Sequence, residues 1–569
     1  MTLWGDPSPD IADWAAEHLG LQTSTDPDLA QFGQALGLAA KGLAARPAGV
    51  AAASARFAAG LARLPSTAAA RWLGHDRGPA FAIDPRDRRF ADPTWTDNPA
   101  FYALRQYFAG VSQLTEELIG DAGLNPTTER KARLAAGLVL DLLAPTNFLP
   151  TNPAALRRAF ETGGGSLVKG ARNFVDDVLH NDGRPRQVDT SSFTMGDNLA
   201  ATPGKVVFRN ELMELLQYEP QTKQVHATPL LCSPPWINKY YIMDLAPGRS
   251  FVEWAVAQNR TVFAISYLNP GGEMAQVTMD DYLRRGPETA LGVIADITGA
   301  DTVDIAGLCL GGALTAIIAA HPTRSGGTRV GNLTLLNTML DYSDPGALGV
   351  FTEADTIDRL EKQMTKTGYL DGSAMAATFN VLRANDLIFS YVVANWLMGQ
   401  DPPAFDILAW NADSTRMPAA MHAFYLRNFY LENRLATGDL TIAGEQIDLG
   451  RVTQQCYVVG AENDHIVPWA AAYATTQLVS GPVRFVLSSG GHIAGIVNPP
   501  GPKGWYLAGD DTPPTAQAWR EAADKYAGSW WDDWARWSHA NAGELTDPPP
   551  VGSSAHPVLG KAPGEYVLT

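Results

Sequence analysis

Cysteine is scarce: only Cys232, Cys309 and Cys456 occur in 569 residues. So few thiols exclude a disulfide framework and fit a reducing compartment. Positive charge is also in deficit. Lys plus Arg is 43, Asp plus Glu is 60, and the formal net charge is −17. A general nucleic-acid binder needs a cationic face to displace counterions, so that class is excluded. No apolar run approaches the ~18 residues of a membrane span. The opening Met1-Thr-Leu-Trp-Gly-Asp6 shows no basic region followed by an apolar core, so no secretory signal is read. A soluble, cytoplasmic protein is expected. The ten histidines form no H-E-x-x-H and there is no cysteine cluster, so no metal is expected. No phosphate-binding G-x-x-x-x-G-K-[ST] is present, and no bound cofactor is expected.

What is present is enough for a large core: 46% hydrophobic residues, with 15 Trp and 20 Phe. The first ~185 residues read as helical, which predicts an N-terminal helical domain over 1–185. Within Gly37 to Arg71, Pro47 and Pro65 are each expected to end or restart a helix. Further helices are expected after Asn125-Pro126 and after Thr151-Asn-Pro153. From Leu29 to His75 there is no acidic residue, but Lys41, Arg46, Arg56, Arg63 and Arg71 occur. That stretch suits either an anionic partner surface or ordinary helix packing.

From about residue 186 the texture changes. Runs such as Lys205-Val-Val-Phe208, Thr261–Tyr267, Val303–Ala306, Leu333–Leu336, Cys456–Val459 and Val483–Leu487 alternate with helical stretches. This predicts an α/β domain over 186–569 with a mainly parallel sheet covered on both faces. The alternation pauses between about 340 and 450, where a helical, aromatic insertion is expected to cap the sheet. The last ~40 residues read as an extended tail.

The strongest local signal is Val303-Asp-Ile-Ala-Gly307-Leu308-Cys309-Leu310-Gly311-Gly312-Ala313. A strand runs through G-x-C-x-G into a helix, which is the nucleophile elbow of an α/β-hydrolase fold with cysteine as nucleophile. The flanking glycines permit the sharp turn. The helix N-terminus favours thiolate, and the Leu310 N–H is placed to donate to an oxyanion. The acid and histidine should follow in that order after later strands. Asp464 in Glu462-Asn-Asp-His465 and His492 in Gly490-Gly-His-Ile-Ala-Gly495 meet the requirement, with Glu462 as the local competitor for the acid. A cysteine acyl-enzyme is a thioester. Exchange with a thioester substrate is therefore close to isoenergetic, which suits passing an acyl group from acyl-CoA to a hydroxyl.

The chain resembles the polyhydroxyalkanoate synthases, with a length and a His492-Ile-Ala-Gly495 similar to the single-subunit, class I type. The matching blocks include Pro234-Pro-Trp-Ile-Asn-Lys-Tyr-Tyr-Ile-Met-Asp244, Gly307-Leu-Cys-Leu-Gly-Gly312, Asn463-Asp-His-Ile-Val-Pro-Trp469, Ser489–Gly495 and Gly528-Ser-Trp-Trp531. The resemblance implies that (R)-3-hydroxyacyl-CoA is polymerised with release of CoA. Cys309 would be acylated and His492 the base, with Asp464 either orienting the imidazole or lying nearer the substrate hydroxyl. A second oxyanion donor is expected near Trp236-Ile237. Trp236, Tyr391 and Trp396, with Phe389, Phe424 and Tyr425, are candidate substrate-lining residues; cap-core packing is the plainer account of each. Asp244 is read as structural. The resemblance also implies a homodimer associated with polymer granules or granule-coating proteins. The rival readings are a cysteine-dependent esterase or thioesterase and a non-enzymatic granule protein.

Overall fold

The computed structural model describes residues 26–75, 77–85, 87–322 and 329–569, with the side chains of 26–30 left aside. Chain packing divides the protein into two compact units. One comprises residues up to Asp189 together with Ser373–Pro403; the other comprises Thr190–Gly372 and Ala404–Thr569.

The first unit is helical. Its helices include Asp26–Ala44, Pro47–Trp72, Pro99–Asp121, Pro126–Leu142, Pro153–Glu161 and Gly165–His180. Asn125 caps one by accepting from Thr128 N at 2.9 Å, and Asn152 caps another by accepting from Ala155 N at 3.0 Å. Each cap satisfies a donor that the first turn leaves unpaired. Pro47 restarts a helix as expected, but Pro65 lies inside Pro47–Trp72 without ending it. In the same turn Ser66 Oγ donates to Arg63 O and Thr67 Oγ1 to Leu64 O. The basic stretch faces its neighbours in part. Arg46 donates to Ala122 O, Arg56 pairs with Glu117 at 2.9 Å, and the Arg71 guanidinium lies over the Tyr102 ring.

The second unit holds an eleven-stranded sheet. In chain order its strands are β1 Gly204–Arg209, β2 Met213–Tyr218, β3 Leu230–Ser233, β4 Val262–Tyr267, β5 Thr302–Leu308, β6 Arg329–Leu336, β7 Cys456–Ala461, β8 Val483–Ser488, β9 Trp505–Gly509, β10 Asp524–Ala527 and β11 Gly560–Lys561. The spatial order is β10-β9-β8-β7-β6-β5-β3-β4-β2-β1-β11. The six central strands β4-β3-β5-β6-β7-β8 pair in parallel, and the strands beyond them pair antiparallel. The central strands are buried on both faces, which is why they read as continuous apolar runs.

The insertion between β6 and β7 is helical, as its aromatic pattern suggests, but it is split. Residues 373–403 group with the helical unit rather than with the sheet. There the Trp396 indole donates to Asp177 Oδ2 at 2.8 Å and packs edge-on against Phe174. The last forty residues are not simply an extended tail. Leu545–Thr546 pairs with Val225–His226, and β11 joins the sheet edge at β1.

Candidate active site

The site is built where three strand ends meet. β5 ends at Leu308 and the helix Leu310–Ala320 begins one residue later. Cys309 forms the corner with φ +51° and ψ −114°, a conformation that costs of order 1–3 kcal/mol outside glycine. The surroundings leave no other path. A Cβ at Gly307 would stand 2.5 Å from Gly312 Cα, and one at Gly311 would stand 2.0 Å from Ser233 O. The Cys309 N–H is meanwhile bonded to Leu336 O at 2.8 Å, tying the corner to the end of β6.

The three thiols are not equivalent. Cys232 and Cys456 are wholly buried in strands, and burial pushes both up, Cys456 to about 12. Cys309 is the only one of the three that is partly exposed.

Asp464 follows β7 and His492 follows β8. The His492 Nδ1 and Asp464 Oδ2 are 2.7 Å apart, with the carboxylate fully buried. The other carboxylate oxygen accepts from Ile466 N at 2.8 Å and Val467 N at 2.9 Å, so the acid is held by its own loop. With Nδ1 on Asp464, the remaining ring nitrogen is left for Cys309, which lies close enough to act on the imidazole. Burial alone would pull the His492 pKa down. The buried Asp464 charge and its hydrogen bond outweigh this, with Cys309 adding to them, and raise it to about 10. Glu462 is turned elsewhere and pairs with Arg520.

The histidine loop is braced from two sides. Asn463 N donates to Gly490 O and Asn463 Nδ2 to Ser489 O, stitching the acid loop to it. Beneath, the helix Trp530–Asn541 buries Trp530, Trp531 and Trp534. Trp530 Nε1 donates to Gly495 O at 2.8 Å and Trp531 Nε1 to Ile496 O at 2.9 Å. The tryptophans that bury this helix are thus also the floor of the loop.

Asn337 escaped sequence reasoning. It follows β6 with φ +41°, is fully buried, and its amide donates to His492 O. A lone asparagine after a strand carries no sequence signal for that role, although asparagine tolerates the left-handed region better than most residues. Three phenols also gather near the thiol. Tyr342 and Tyr425 hydroxyls lie 3.4 Å apart, and Tyr430 packs against both rings. Burial, with the Cys309 charge adding to it, pushes all three up, so they remain neutral donors.

Of the oxyanion candidates, Leu310 is the first helical residue after Cys309. Trp236 and Ile237 lie in the turn after β3. The same close approach of Gly311 to Ser233 O and Pro234 O places that turn against the first turn of the helix. The Trp236 ring is buried against Tyr267 and Tyr282, so it packs the base of the turn. Tyr391 and Trp396 belong to the helical unit. Asp244 is buried, accepts from Thr202 and Ser250, and is pushed up by burial, as a structural carboxyl would be. Among the described residues no group of three or more His, Cys, Asp or Glu is arranged to hold a metal.

Residues 86–255 match the family described as the N-terminus of poly-beta-hydroxybutyrate polymerase, and residues 255–499 match the alpha/beta hydrolase fold. A poly(3-hydroxyalkanoate) polymerase of Methylorubrum extorquens is 41% identical over 502 residues, which is 87% of this chain and 83% of that protein. The chain belongs to the poly(3-hydroxyalkanoate) polymerase family. A polymerase subunit of Rhizobium meliloti is 43% identical over 485 residues, covering 84% of this chain and 79% of its own. Polymerase 2 of Ectopseudomonas oleovorans is 41% identical over 489 residues, covering 85% and 87%. Among solved structures, a hydrolase from Pseudomonas aeruginosa aligns over 52% of this chain and 92% of its own at 16% identity and a TM-score of 0.31. The family match, the central parallel strands and the elbow agree on an α/β-hydrolase fold.

Proposed function

We propose that this polymerase converts (R)-3-hydroxyacyl-CoA into polyhydroxyalkanoate and CoA, with Cys309 as the acylated nucleophile, His492 as proton carrier and Asp464 as its partner. The observation that carries this reading is the partly exposed Cys309 on the elbow, close enough to act on an imidazole that is itself anchored on a buried carboxylate.

The chemistry follows from those positions. His492 takes the Cys309 proton, and the thiolate attacks the thioester carbonyl of the substrate. The Leu310 and Ile237 N–H groups hold the oxyanion. Collapse breaks the bond to CoA sulfur, and His492 returns the proton to the departing thiolate. The imidazole then takes the proton of the 3-hydroxyl of a second hydroxyacyl-CoA. That oxygen attacks the Cys309 thioester, forming an ester and freeing the thiol. Attack of Cys309 on the lengthened CoA thioester reloads the enzyme and releases the next CoA. One CoA leaves per unit added.

Insoluble product would accumulate at the enzyme, so cytoplasmic granule association belongs to the same reading. The exposed apolar side chains Phe160, Val168, Val175 and Leu179 of the helical unit support it. A homodimer is part of the proposal and is checked by light scattering.

Purified protein given (R)-3-hydroxybutyryl-CoA should release CoA and deposit insoluble polymer, and Cys309→Ala should do neither. Free hydroxy acid without polymer would instead identify a cysteine thioesterase. Full activity in Cys309→Ala would remove the thiol from the mechanism.

A further inference from the structure

The turn proposed to supply the second oxyanion donor has no glycine-driven geometry of its own. It is held by remote side chains. Thr415 Oγ1 donates to Trp236 O at 3.1 Å, and the buried Trp410 indole donates to Lys239 O at 2.8 Å. Tyr241 OH donates to Asp413 Oδ2 at 3.0 Å. Both sides of the turn are therefore clamped by residues 410–415.

Lys239 itself is the unusual member. Its side chain is 3% exposed, and a buried ammonium is tolerated only where its donors are used. Nζ donates to Val567 O at 2.8 Å and to Thr569 O, with Asp413 Oδ1 3.7 Å away. Two of its partners are thus main-chain oxygens more than three hundred residues along the chain. That segment is fastened just before it arrives. β11 pairs with β1, and the N–H groups of Glu565 and Tyr566 each donate to the buried Glu214 Oε2 at 2.9 Å. The segment is therefore a fixed support, and the lysine is the strut between it and the turn.

We propose that Lys239 is a positioning residue for the reaction: by gripping the main-chain oxygens of Val567 and Thr569 it sets the Trp236-Ile237 turn at the height where its N–H meets the oxyanion. This rests on the acyl-transfer reading above. A neutral side chain of similar length leaves the oxygens of Val567 and Thr569 without this donor, and the turn relaxes away from the elbow. Cys309, His492 and Asp464 lie on other strand ends and keep their arrangement.

The test separates the oxyanion from the thiol. Lys239→Met and a chain ending at Glu565 are compared with wild type in two measurements. One is single-turnover CoA release from (R)-3-hydroxybutyryl-CoA with enzyme in excess. The other is alkylation of Cys309 by iodoacetamide, which needs the thiolate and no oxyanion. CoA release should fall about tenfold or more in both variants, a fraction of the loss expected when an oxyanion donor is removed outright. Alkylation should stay within about twofold of wild type, because thiolate reactivity is set by the histidine and helix terminus. Unchanged CoA release per alkylatable thiol overturns the proposal. So does a parallel fall in both rates, which marks a merely structural lysine. If Lys239→Met is insoluble, the shortened chain, which retains the lysine, gives the same readings. A wild type that releases no CoA strikes the acyl-transfer reading instead.

Discussion

Two loops meet at the thiol, and they are made in different ways. The elbow around Cys309 is shaped by its immediate sequence: within six residues, three glycines remove every Cβ that would collide with Ser233, Gly312 or Thr338. The turn at Trp236-Ile237 opposite it carries no such constraint and takes its position from Thr415, Trp410 and the Lys239 strut. Local sterics make a loop that is rigid and readable. Distant hydrogen bonds make one that can be loosened one bond at a time.

Substitutions in the two loops should therefore differ in kind. The largest effect is expected for Gly311→Ala, whose new Cβ meets backbone 2.0 Å away. Backbone on both sides has nowhere to go, so CoA release should fall by ~10³ or the protein should fail to accumulate in soluble form, by analogy with the loss of an oxyanion donor. Gly292→Ala is the control: a Cβ there meets nothing within 4 Å, and both activity and solubility should hold.

Asp464→Asn comes next. CoA release should drop about a hundredfold or more, because the imidazole loses the partner that fixes its tautomer and its charge. The change also has a pH signature. His492 is raised to about 10 in the folded protein, above its ordinary value near 6.5. The folded state binds the extra proton more tightly, so the stabilisation is fully present below about pH 6.5 and is lost as pH rises through about 10. The melting-temperature gap between wild type and Asp464→Asn should be widest near pH 6 and should close towards pH 10. A gap that widens with pH would contradict the raised histidine.

The smallest effect belongs to the opposite turn. Thr415→Val removes one hydrogen bond to Trp236 O, worth about 1 kcal/mol. kcat should fall about fivefold with KM little changed, since the oxyanion exists only beyond the ground state. An equal loss for Thr415→Val and Gly311→Ala would erase the distinction between the loops.

Much of this was legible beforehand. The parallel strands announced themselves because burial on both faces forces unbroken apolar runs, as in Cys456–Ala461. The order Cys309, Asp464, His492 followed from the chain path through β5, β7 and β8. The antiparallel strands Met213–Tyr218, Trp505–Gly509 and Asp524–Ala527 gave weaker signals. Asp524–Ala527, exposed along its length, has no burial pattern to read. Pro65 reads as a helix boundary because a missing N–H usually is one, but the helix Pro47–Trp72 runs through it. Trp396 looked suited to lining a channel. Its indole N–H donates to Asp177, 219 residues away in sequence, a partner no local pattern announces.

The residue order alone determined where the strained corner at Cys309 would form, because such a corner needs its glycines within a turn of it and so leaves a compact signature. Which carbonyl a buried lysine grips, which loop an asparagine steadies, and where residues 373–403 pack were decided only when the chain closed on itself. Those choices depend on partners hundreds of positions apart, and a hydrogen bond between such partners leaves no pattern in either neighbourhood.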